Sequence, residues 1–268
     1  MKTPITYYGG KQTMLPYIRP LIPEHDIYCE PFAGGAAVFF DKEPTKINVI
    51  NDLNSELINF YRVITLHPNE FKNEVLQTLH SRDQHKYASY IYHNPLYFTN
   101  IQRAWAVWCL SQQSFSGILT GGFSTNKKGS SKPQKIQNAK LVFCDELKEL
   151  LEKTTIECDD AFKVIKRYDN IKSFFFLDPP YIDANMGHYS GMFDENDLKE
   201  LLNICTNLEG KFLLTMYPND LIKRYADEND WIIHIVNRQV SACDKDHRRK
   251  QDEWMICNYI KIDENEKI

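Results

Sequence analysis

The sequence predicts an α/β fold in which helices cover both faces of a largely parallel sheet. Short apolar runs rich in β-branched and aromatic residues recur along the chain, and helical patterns separate most of them. The length of 268 residues suits one large core with an inserted or appended lobe. A composition that is 43% hydrophobic and 25% charged excludes a disordered or collagen-like chain.

Seven apolar runs are predicted to be strands. They are Ile27–Phe32, Ile47–Asp52, Thr154–Cys158, Ser173–Asp178, Lys211–Met216, Trp231–Asn237 and Glu253–Tyr259. The helical patterns between them are Ala36–Lys42, Glu56–Leu66, Asp160–Tyr168, Glu195–Leu208 and Asp220–Glu228. A predicted loop at Arg238–Asp252, rather than a helix, joins the last two strands, so we expect the final strand to be antiparallel.

The alternation of strands and helices stops between about residue 67 and residue 140. The helical patterns in this region are Phe71–Leu79, Tyr87–Tyr92 and Arg103–Gln112. The glycine-rich stretch Gly117–Ser131 follows and is predicted to be a loop or hairpin. We therefore expect residues 67–140 to form an insertion in a domain made of residues 1–66 and 141–268.

Charge is unevenly distributed along the chain. The net charge is −4, yet residues 84–144 contain no Asp or Glu and carry a net charge of +7, which leaves −11 for the rest. The total argues against a polyanionic partner, whereas this asymmetry favours a nucleic-acid surface on an acidic protein. A solvated loop with surplus lysines is the alternative interpretation.

The cysteine and histidine patterns favour neither a disulfide scaffold nor a metal centre. Seven cysteines, an odd number without CxxC spacing, indicate a reducing cytoplasm. Eight histidines without HxxxH or HExxH spacing predict no metal site. The amino terminus lacks an apolar signal core and no apolar run reaches 18 residues, so we expect no membrane association.

Two features at the carboxyl ends of the first two strands indicate a bound ligand. Glu30–Ala36 forms a glycine turn that opens a helix, where main chain approaches a ligand closely. The second strand ends in Asn51 and Asp52, and a carboxylate there accepts both hydroxyls of a ribose. Helix capping by Asp52 or Asn54 is the alternative. The glycines do not form G-x-G-x-x-G, which weakens a dinucleotide interpretation.

The segment Asp178-Pro179-Pro180-Tyr181 is the most specific signal. It follows a buried apolar run, and its two prolines end the strand and fix the backbone. It presents a carboxylate, a rigid carbonyl and an aromatic ring. Asp178 and the Pro179 carbonyl match the two hydrogens of an exocyclic amino group, and Tyr181 matches the face of a base.

Together these motifs resemble the Dam-like DNA adenine-N6 methyltransferases, the alpha group or D12 class, which use S-adenosylmethionine. The matching segments are Tyr7–Lys11, Glu30–Gly35, Asn51–Asp52, Asp160, Asp178–Tyr181 and Trp254–Tyr259. The resemblance implies a Rossmann-like methyltransferase sheet of seven strands, the last one antiparallel. It also implies that residues 67–140 are an inserted, mainly helical target-recognition lobe.

The resemblance further implies site residues. The expected cofactor-binding residues are Tyr8, Lys11, Glu30, Phe32, Gly34, Gly35, Asp52, Asp159, Asp160 and Asp178. Asp52 would hold the ribose, and either Asp159 or Asp160 would lie against the cofactor adenine. Helix capping is the alternative for that acidic pair, and a solvated arm is the alternative for Tyr8 and Lys11.

The expected reaction is direct methyl transfer from S-adenosylmethionine to N6 of an adenine flipped out of duplex DNA, with no covalent enzyme intermediate and no metal. The expected catalytic residues are Asp178, Pro179, Pro180 and Tyr181. The expected DNA-binding residues are Lys127, Lys128, Lys132, Lys135, His188, Tyr189, Arg238, Arg248, Arg249 and Lys250. Solvated surface charge and a polar surface loop are the alternatives for these positions.

Double-stranded DNA and a cognate restriction endonuclease are the expected partners, in the cytoplasm of a prokaryotic or phage-infected cell. Methylation of cytosine N4 in DNA or of adenine in RNA is an open alternative, since such enzymes share the architecture. A catalytically silent DNA-binding protein is another, and a nicotinamide dehydrogenase is weaker without G-x-G-x-x-G. A Pro-Cys nucleophile motif is absent, which disfavours C5-cytosine methylation.

Overall fold

The computed structural model describes residues 1–126, 129, 131–182, 193–239 and 250–260. The strands are β1 Ile27–Glu30, β2 Ile47–Asn51, β3 Thr154–Glu157, β4 Ser173–Leu177, β5 Lys211–Met216, β6 Ile232–Gln239 and β7 Lys250–Cys257. The α-helices are α1 Leu15–Ile18, α2 Ala37–Asp41, α3 Ser55–Leu66, α4 Pro68–Leu76, α5 Arg82–His93, α6 Asn100–Gln113, α7 Lys132–Lys140, α8 Asp145–Glu152, α9 Ala161–Tyr168, α10 Glu195–Thr206 and α11 Asp220–Glu228. All seven predicted strands are present.

The strands form one sheet in the order β3-β2-β1-β4-β5-β7-β6. Strand β4 is parallel to both β1 and β5. Strand β7 is antiparallel to β5 and to β6. The predicted α/β fold with an antiparallel final strand is therefore confirmed.

The last two strands are longer than the sequence predicts. They pair from Ile232↔Cys257 out to Gln239↔Lys250, so the main chain of Arg238 and of Lys250 belongs to strands and not to the predicted loop. The prediction followed apolar side chains, but an antiparallel ladder needs only main-chain hydrogen bonds and continues into polar sequence. The Asn237 amide donates to Asp252 Oδ1 across this extension at 2.7 Å.

The chain divides into two compact units. The first comprises Met1–Leu15, Ala33–Pro44 and Ile50–Asp159. Side-chain caps start its helices: Asn54 caps α3, Ser81 caps α5 and Thr99 caps α6. Its core is aromatic, with successive ring contacts joining Phe60, Phe71, Phe143 and Trp108.

The second unit comprises Pro16–Phe32, Thr45–Val49 and Asp160–Ile268. Every residue of β4 is buried, as expected of a central strand covered on both faces. The apolar faces of α9, α10 and α11 contribute Val164, Leu201 and Ile222 to the core beside it. Asp160, Asp194 and Asn219 cap these three helices.

Helices α7 and α8 were not predicted. Each is short and strongly charged, and each buries few residues: Ile136 and Lys140 in α7, and Leu147 and Leu151 in α8. A stripe of two residues gives little periodic signal in the sequence. An antiparallel bridge joins Ser114 to Phe123 of the glycine-rich stretch ahead of α7, as in a hairpin-like loop.

Candidate active site

The glycine turn in the first unit is held by close steric contact. Gly34 has φ +48°, and a Cβ atom there would lie 2.9 Å from Tyr7 Cδ1. A Cβ atom on Gly35 would lie 3.0 Å from Tyr7 Cβ. The buried Tyr61 hydroxyl donates to the Gly34 carbonyl at 2.7 Å. Only glycine fits both positions without displacing the Tyr7 ring or main chain.

Asp52 is bound to this turn by main-chain groups. Its Oδ2 accepts the Gly34 N–H and its Oδ1 accepts the Asn54 N–H, each at 2.9 Å. Burial raises the pKa of the Asp52 carboxyl, and these two N–H donors partly offset the rise. Asn54, not Asp52, caps α3 by accepting from two helix N–H groups. The structure thus assigns the capping role to Asn54 and connects Asp52 to the glycines.

A reciprocal pair of hydrogen bonds fixes the main chain at Asp159. The buried Asn51 amide donates to the Asp159 carbonyl at 3.0 Å, and its oxygen accepts the Asp159 N–H at 2.9 Å. The Asp160 carboxylate instead accepts the Lys163 N–H at 3.1 Å and caps α9. Asp159 is thus fixed through its main chain, and Asp160 is fixed through its side chain.

The amino-terminal segment is not a solvated arm. Lys11 is only 5% exposed, and its Nζ donates to the Gly9 carbonyl at 3.0 Å. Tyr8 is partly buried, and burial raises the pKa of its hydroxyl. The Lys11 side chain is thus held by main chain of the same segment whose Tyr7 lies against the glycine turn.

Glu30 and Phe32 belong to the second unit. Glu30 is buried and accepts the hydroxyl of the equally buried Tyr28 at 2.8 Å. The Phe32 ring packs edge-on against Phe193 with 6.1 Å between centroids. Each of these two predicted site residues thus has a packing or hydrogen-bonding role within its own unit.

Asp178 directly follows the buried strand β4, and a neighbouring strand holds its carboxylate. The hydroxyl of Thr215, a fully buried residue of β5, donates to Asp178 Oδ1 at 2.8 Å. Pro179 is buried, which fixes the main chain directly after the carboxylate. The Asp178 carboxylate is thus held at the end of β4, next in sequence to the buried Pro179.

Tyr181 is held by its hydroxyl and by its ring. The hydroxyl donates to Glu253 Oε1 at 2.7 Å, and the ring meets Tyr217 edge-on with 4.5 Å between centroids. The pKa of Tyr181 lies well above its usual value because burial and the carboxylates of Asp178 and Glu253 disfavour the phenolate. The hydroxyl therefore remains a donor.

Part of the positive charge in residues 84–144 is engaged inside the first unit. Arg103 Nε donates to Glu56 Oε2 at 2.9 Å in a partly buried ion pair. Lys140 is 6% exposed, its Nζ donates to the Leu76 carbonyl, and burial lowers its pKa. Of the predicted DNA-binding lysines on α7, Lys135 is exposed and Lys132 is half-buried.

The other predicted DNA-binding residues fall outside the described residues or have side chains that are not described. Lys127, Lys128, His188, Tyr189, Arg248 and Arg249 are outside them, and only the main chain of Arg238 and Lys250 is described. In the described ranges, no group of three His, Cys, Asp or Glu residues is placed to hold a metal. None of the described helices is long and apolar enough to span a bilayer.

Four residues that contact the predicted site were missed. In the sequence analysis Asn51 is included only as part of a motif, and no role is assigned to Thr215, Tyr217 or Glu253. The signal for Thr215 is a single hydroxyl inside the apolar strand KFLLTM, whereas Glu253 follows Asp252 at the end of a charged stretch and gives no such signal. Buried polar residues need partners, so a polar residue inside an apolar strand marks a candidate site.

Comparison with known proteins identifies the family of this chain. The sequence model of the family described as D12 class N6 adenine-specific DNA methyltransferase matches residues 7–242. Type II methyltransferase M1.LlaDCHI of Lactococcus lactis subsp. cremoris is 28% identical, over 94% of this chain and 93% of that protein. Type II methyltransferase M.MjaIII of Methanocaldococcus jannaschii is 28% identical, over 95% and 98%.

A shorter match concerns the DNA adenine methylase of Serratia marcescens, which is 33% identical over 67 residues, 25% of this chain and 24% of that protein. The match of the family model to nearly the whole chain decides the assignment. The chain belongs to the D12 class N6 adenine-specific DNA methyltransferases, and its reaction is S-adenosylmethionine-dependent methylation of adenine in DNA.

Proposed function

We propose that the enzyme methylates N6 of an adenine flipped out of duplex DNA, by direct transfer within the Asp178-Pro179-Pro180-Tyr181 box. The hydrogen bond from Thr215 to Asp178 is the observation that carries this proposal, because it orients a carboxylate beside a rigid proline carbonyl. Reaching N6 requires the adenine to leave the base stack.

The box provides what an aromatic amine needs in order to act as a nucleophile. The lone pair of N6 is delocalised into the purine ring, and hydrogen bonds from N6 to Asp178 and to the Pro179 carbonyl localise it on nitrogen. The new bond joins the methyl carbon to N6 as the carbon–sulfur bond breaks, and N6 then releases a proton. Asp178 accepts this proton, because N6 becomes strongly acidic once it carries the methyl group.

The glycine turn fits S-adenosylmethionine, which when bound supplies a methyl group activated on a sulfonium. The turn leaves main chain free of side chains at Gly34 and Gly35, and the Asp52 carboxylate keeps lone pairs beyond its two N–H bonds for a ribose. The proposed cofactor residues are Tyr8, Lys11, Glu30, Phe32, Gly34, Gly35, Asp52, Asp159, Asp160 and Asp178. S-adenosylhomocysteine is the proposed product, and no metal takes part.

The two acidic residues after β3, Asp159 and Asp160, have different roles in this proposal. Asp160 caps α9, whereas the main chain of Asp159 is fixed by Asn51. Asp159 is therefore proposed as the residue that accepts from the cofactor adenine, with Asp160 shaping the turn beside it.

Residues 67–140 are proposed as the target-recognition lobe, inserted in a catalytic domain of residues 1–66 and 141–268. Exposed Lys135 and half-buried Lys132 support a DNA surface on α7. Lys127, Lys128, His188, Tyr189, Arg238, Arg248, Arg249 and Lys250 are proposed to contact DNA with them. A restriction endonuclease of the same specificity is a proposed partner, supported by type II relatives, and a cytoplasmic location is proposed from the cysteine pattern.

The test is expression in a host without adenine methylation, followed by modification-sensitive sequencing of its DNA. Wild type should place N6-methyladenine at one recurring sequence, and Asp178→Ala should abolish it. Asp227→Ala, which removes an exposed carboxylate on α11, is the matched control and should methylate normally. N4-methylcytosine, or adenine methylation that survives Asp178→Ala, would overturn the proposal.

A further inference from the structure

We propose that Glu253 is a positioning residue for methyl transfer: through the Tyr181 hydroxyl it sets the orientation of the ring that stacks on the target adenine. This inference rests on the proposed function of the Asp178–Tyr181 box. It assigns a catalytic consequence to a residue of β7, which is remote in sequence from that box.

The first argument is the cost of burying a carboxylate. Glu253 is 4% exposed on a strand whose next residues form an apolar run. A buried acid is destabilising unless it is hydrogen-bonded, so its position requires a donor. The Tyr181 hydroxyl is such a donor, at 2.7 Å from Oε1. Hydrogen bonds to a charged acceptor are about twice as strong as neutral ones, so this bond is a firm restraint.

The second argument is that the hydrogen bond at the hydroxyl restrains a movement of the Tyr181 ring that its contact with Tyr217 leaves possible. The ring of Tyr181 already meets Tyr217 edge-on, with planes at 75°. An edge contact alone allows the ring to tilt, whereas a bond at the hydroxyl fixes its far end. Contacts at both the ring edge and the hydroxyl hold the plane of Tyr181, and a fixed plane is what a stacking base needs.

The third argument concerns charge. The burial and neighbouring carboxylates that raise the pKa of Tyr181 keep its hydroxyl protonated at physiological pH, so Glu253 always meets a donor. The donor side of this hydrogen bond is therefore kept at physiological pH by the burial of Tyr181.

The experiment is a double-mutant cycle on the full-length enzyme with Tyr181→Phe, Glu253→Ala and the double variant. Single-turnover methylation gives the rate of transfer, and equilibrium titration gives the affinity for S-adenosylmethionine. A duplex with 2-aminopurine at the target adenine reports stacking of the flipped base by its fluorescence. Glu253→Gln tests rescue, because its amide oxygen still accepts from the hydroxyl. Asp252→Ala, which breaks the neighbouring Asn237 contact, is the matched control on β7.

Glu253→Ala should slow transfer roughly ten- to hundredfold, the range for losing a hydrogen bond to a charged group, with cofactor affinity unchanged. Glu253→Gln should recover most of that loss, and 2-aminopurine should fluoresce more strongly in the Ala variant than in wild type. Adding Glu253→Ala to Tyr181→Phe should slow transfer little further, since the hydroxyl is already gone. Asp252→Ala should leave the rate unchanged.

Independent, multiplicative effects of the two substitutions would overturn the positioning role, as would a Gln variant as slow as the Ala variant. If Glu253→Ala does not fold, Tyr181→Phe alone removes the hydrogen bond, and equal transfer rates for Tyr181→Phe and wild type then overturn the positioning role. A wild-type enzyme that transfers no methyl group to DNA contradicts the proposed function itself. An active wild type without coupling contradicts only this inference.

Discussion

The glycine turn and the Asp178–Tyr181 box are held in place by different kinds of contact. In the turn, main-chain N–H groups bind Asp52, and the Tyr7 ring occupies the space that a Cβ atom on Gly34 would need. In the box, side chains of β5 and β7 hold Asp178 and Tyr181. One region depends on the absence of side chains and the other on the presence of particular ones.

This difference has consequences for mutation. Main-chain contacts persist through most substitutions. The turn should therefore lose stability and cofactor affinity only when a Cβ atom is added to a glycine or the Asp52 carboxylate is lost. Side-chain contacts are removed one at a time, so the box should lose activity in steps while the fold remains. Stability and activity should therefore separate in the box and fall together in the turn.

The largest effect is expected from Asp178→Ala. Transfer should slow by roughly 10²- to 10³-fold or more, the range for losing one electrostatic group of an active site. The protein should unfold at nearly the same temperature, because the Thr215 hydroxyl also lies 3.4 Å from the Leu177 carbonyl and keeps an acceptor. Single-turnover methylation and thermal unfolding measure both quantities. A large loss of stability in this variant would break the contrast between the two regions.

Gly34→Ala tests the steric side of the comparison. The left-handed φ of residue 34 should lower the free energy of unfolding by about 1–2 kcal/mol. The contact of the new Cβ atom with the Tyr7 ring should lower it further and weaken cofactor binding. Gly9→Ala is the matched control, because Gly9 has φ +75° but no atom within 4 Å of its would-be Cβ. Urea unfolding measures the loss of stability, and cofactor titration measures the loss of cofactor affinity. Equal losses for both variants would show that the Tyr7 contact contributes nothing.

Asp52→Asn should lower cofactor affinity about tenfold, as expected for losing a charged hydrogen-bond acceptor, and destabilise the apoprotein, because one of the two N–H groups then faces the Asn amide nitrogen instead of an oxygen. The folded pKa of Asp52 is raised, so its ionisation opposes folding once the pH exceeds the unfolded value near 4. The stability advantage of the wild type over the Asn variant should therefore be larger near pH 4 and shrink as the pH rises through the raised folded pKa of Asp52. Unfolding of both proteins at pH 4 and pH 7 measures it, and a constant difference would contradict the raised pKa.

The smallest effects concern charge on α7. Lys135→Ala should reduce the slope of log affinity for DNA against log salt by about 0.9, the contribution of one phosphate contact. Lys140→Met should leave this slope unchanged and change only stability, since its Nζ donates to the Leu76 carbonyl. DNA binding at several salt concentrations distinguishes them. Identical slopes for Lys135→Ala and wild type would mean that α7 is a solvated face.

The sequence predicted the sheet well because apolar runs and helical periods are local signals. It also predicted the residues of the glycine turn and the box, since Gly34 and Asp178 stand in recognisable motifs. It missed α7 and α8, in which only two residues each are buried. It also overstated the positive charge that residues 84–144 leave unpaired. Arg103 pairs with Glu56, which lies outside that segment, and this pairing depends on the tertiary structure.

The partners of the supporting residues were unpredictable for the same reason. Thr215 and Glu253 lie 37 and 72 residues from the side chains that they hold. No local pattern links an isolated polar residue in a strand to a distant carboxylate or hydroxyl. The pairing of strands β4, β5 and β7 brings these residues together, so the sheet topology must be known before their role can be inferred.

The most direct test of the account is the identity of the methylated base formed by purified enzyme. Duplex DNA would be incubated with S-adenosylmethionine carrying a labelled methyl group, digested to nucleosides and separated. The account predicts label in N6-methyldeoxyadenosine with wild type and none with Asp178→Ala. Label in N4-methyldeoxycytidine, or equal label in adenine with both proteins, would contradict it.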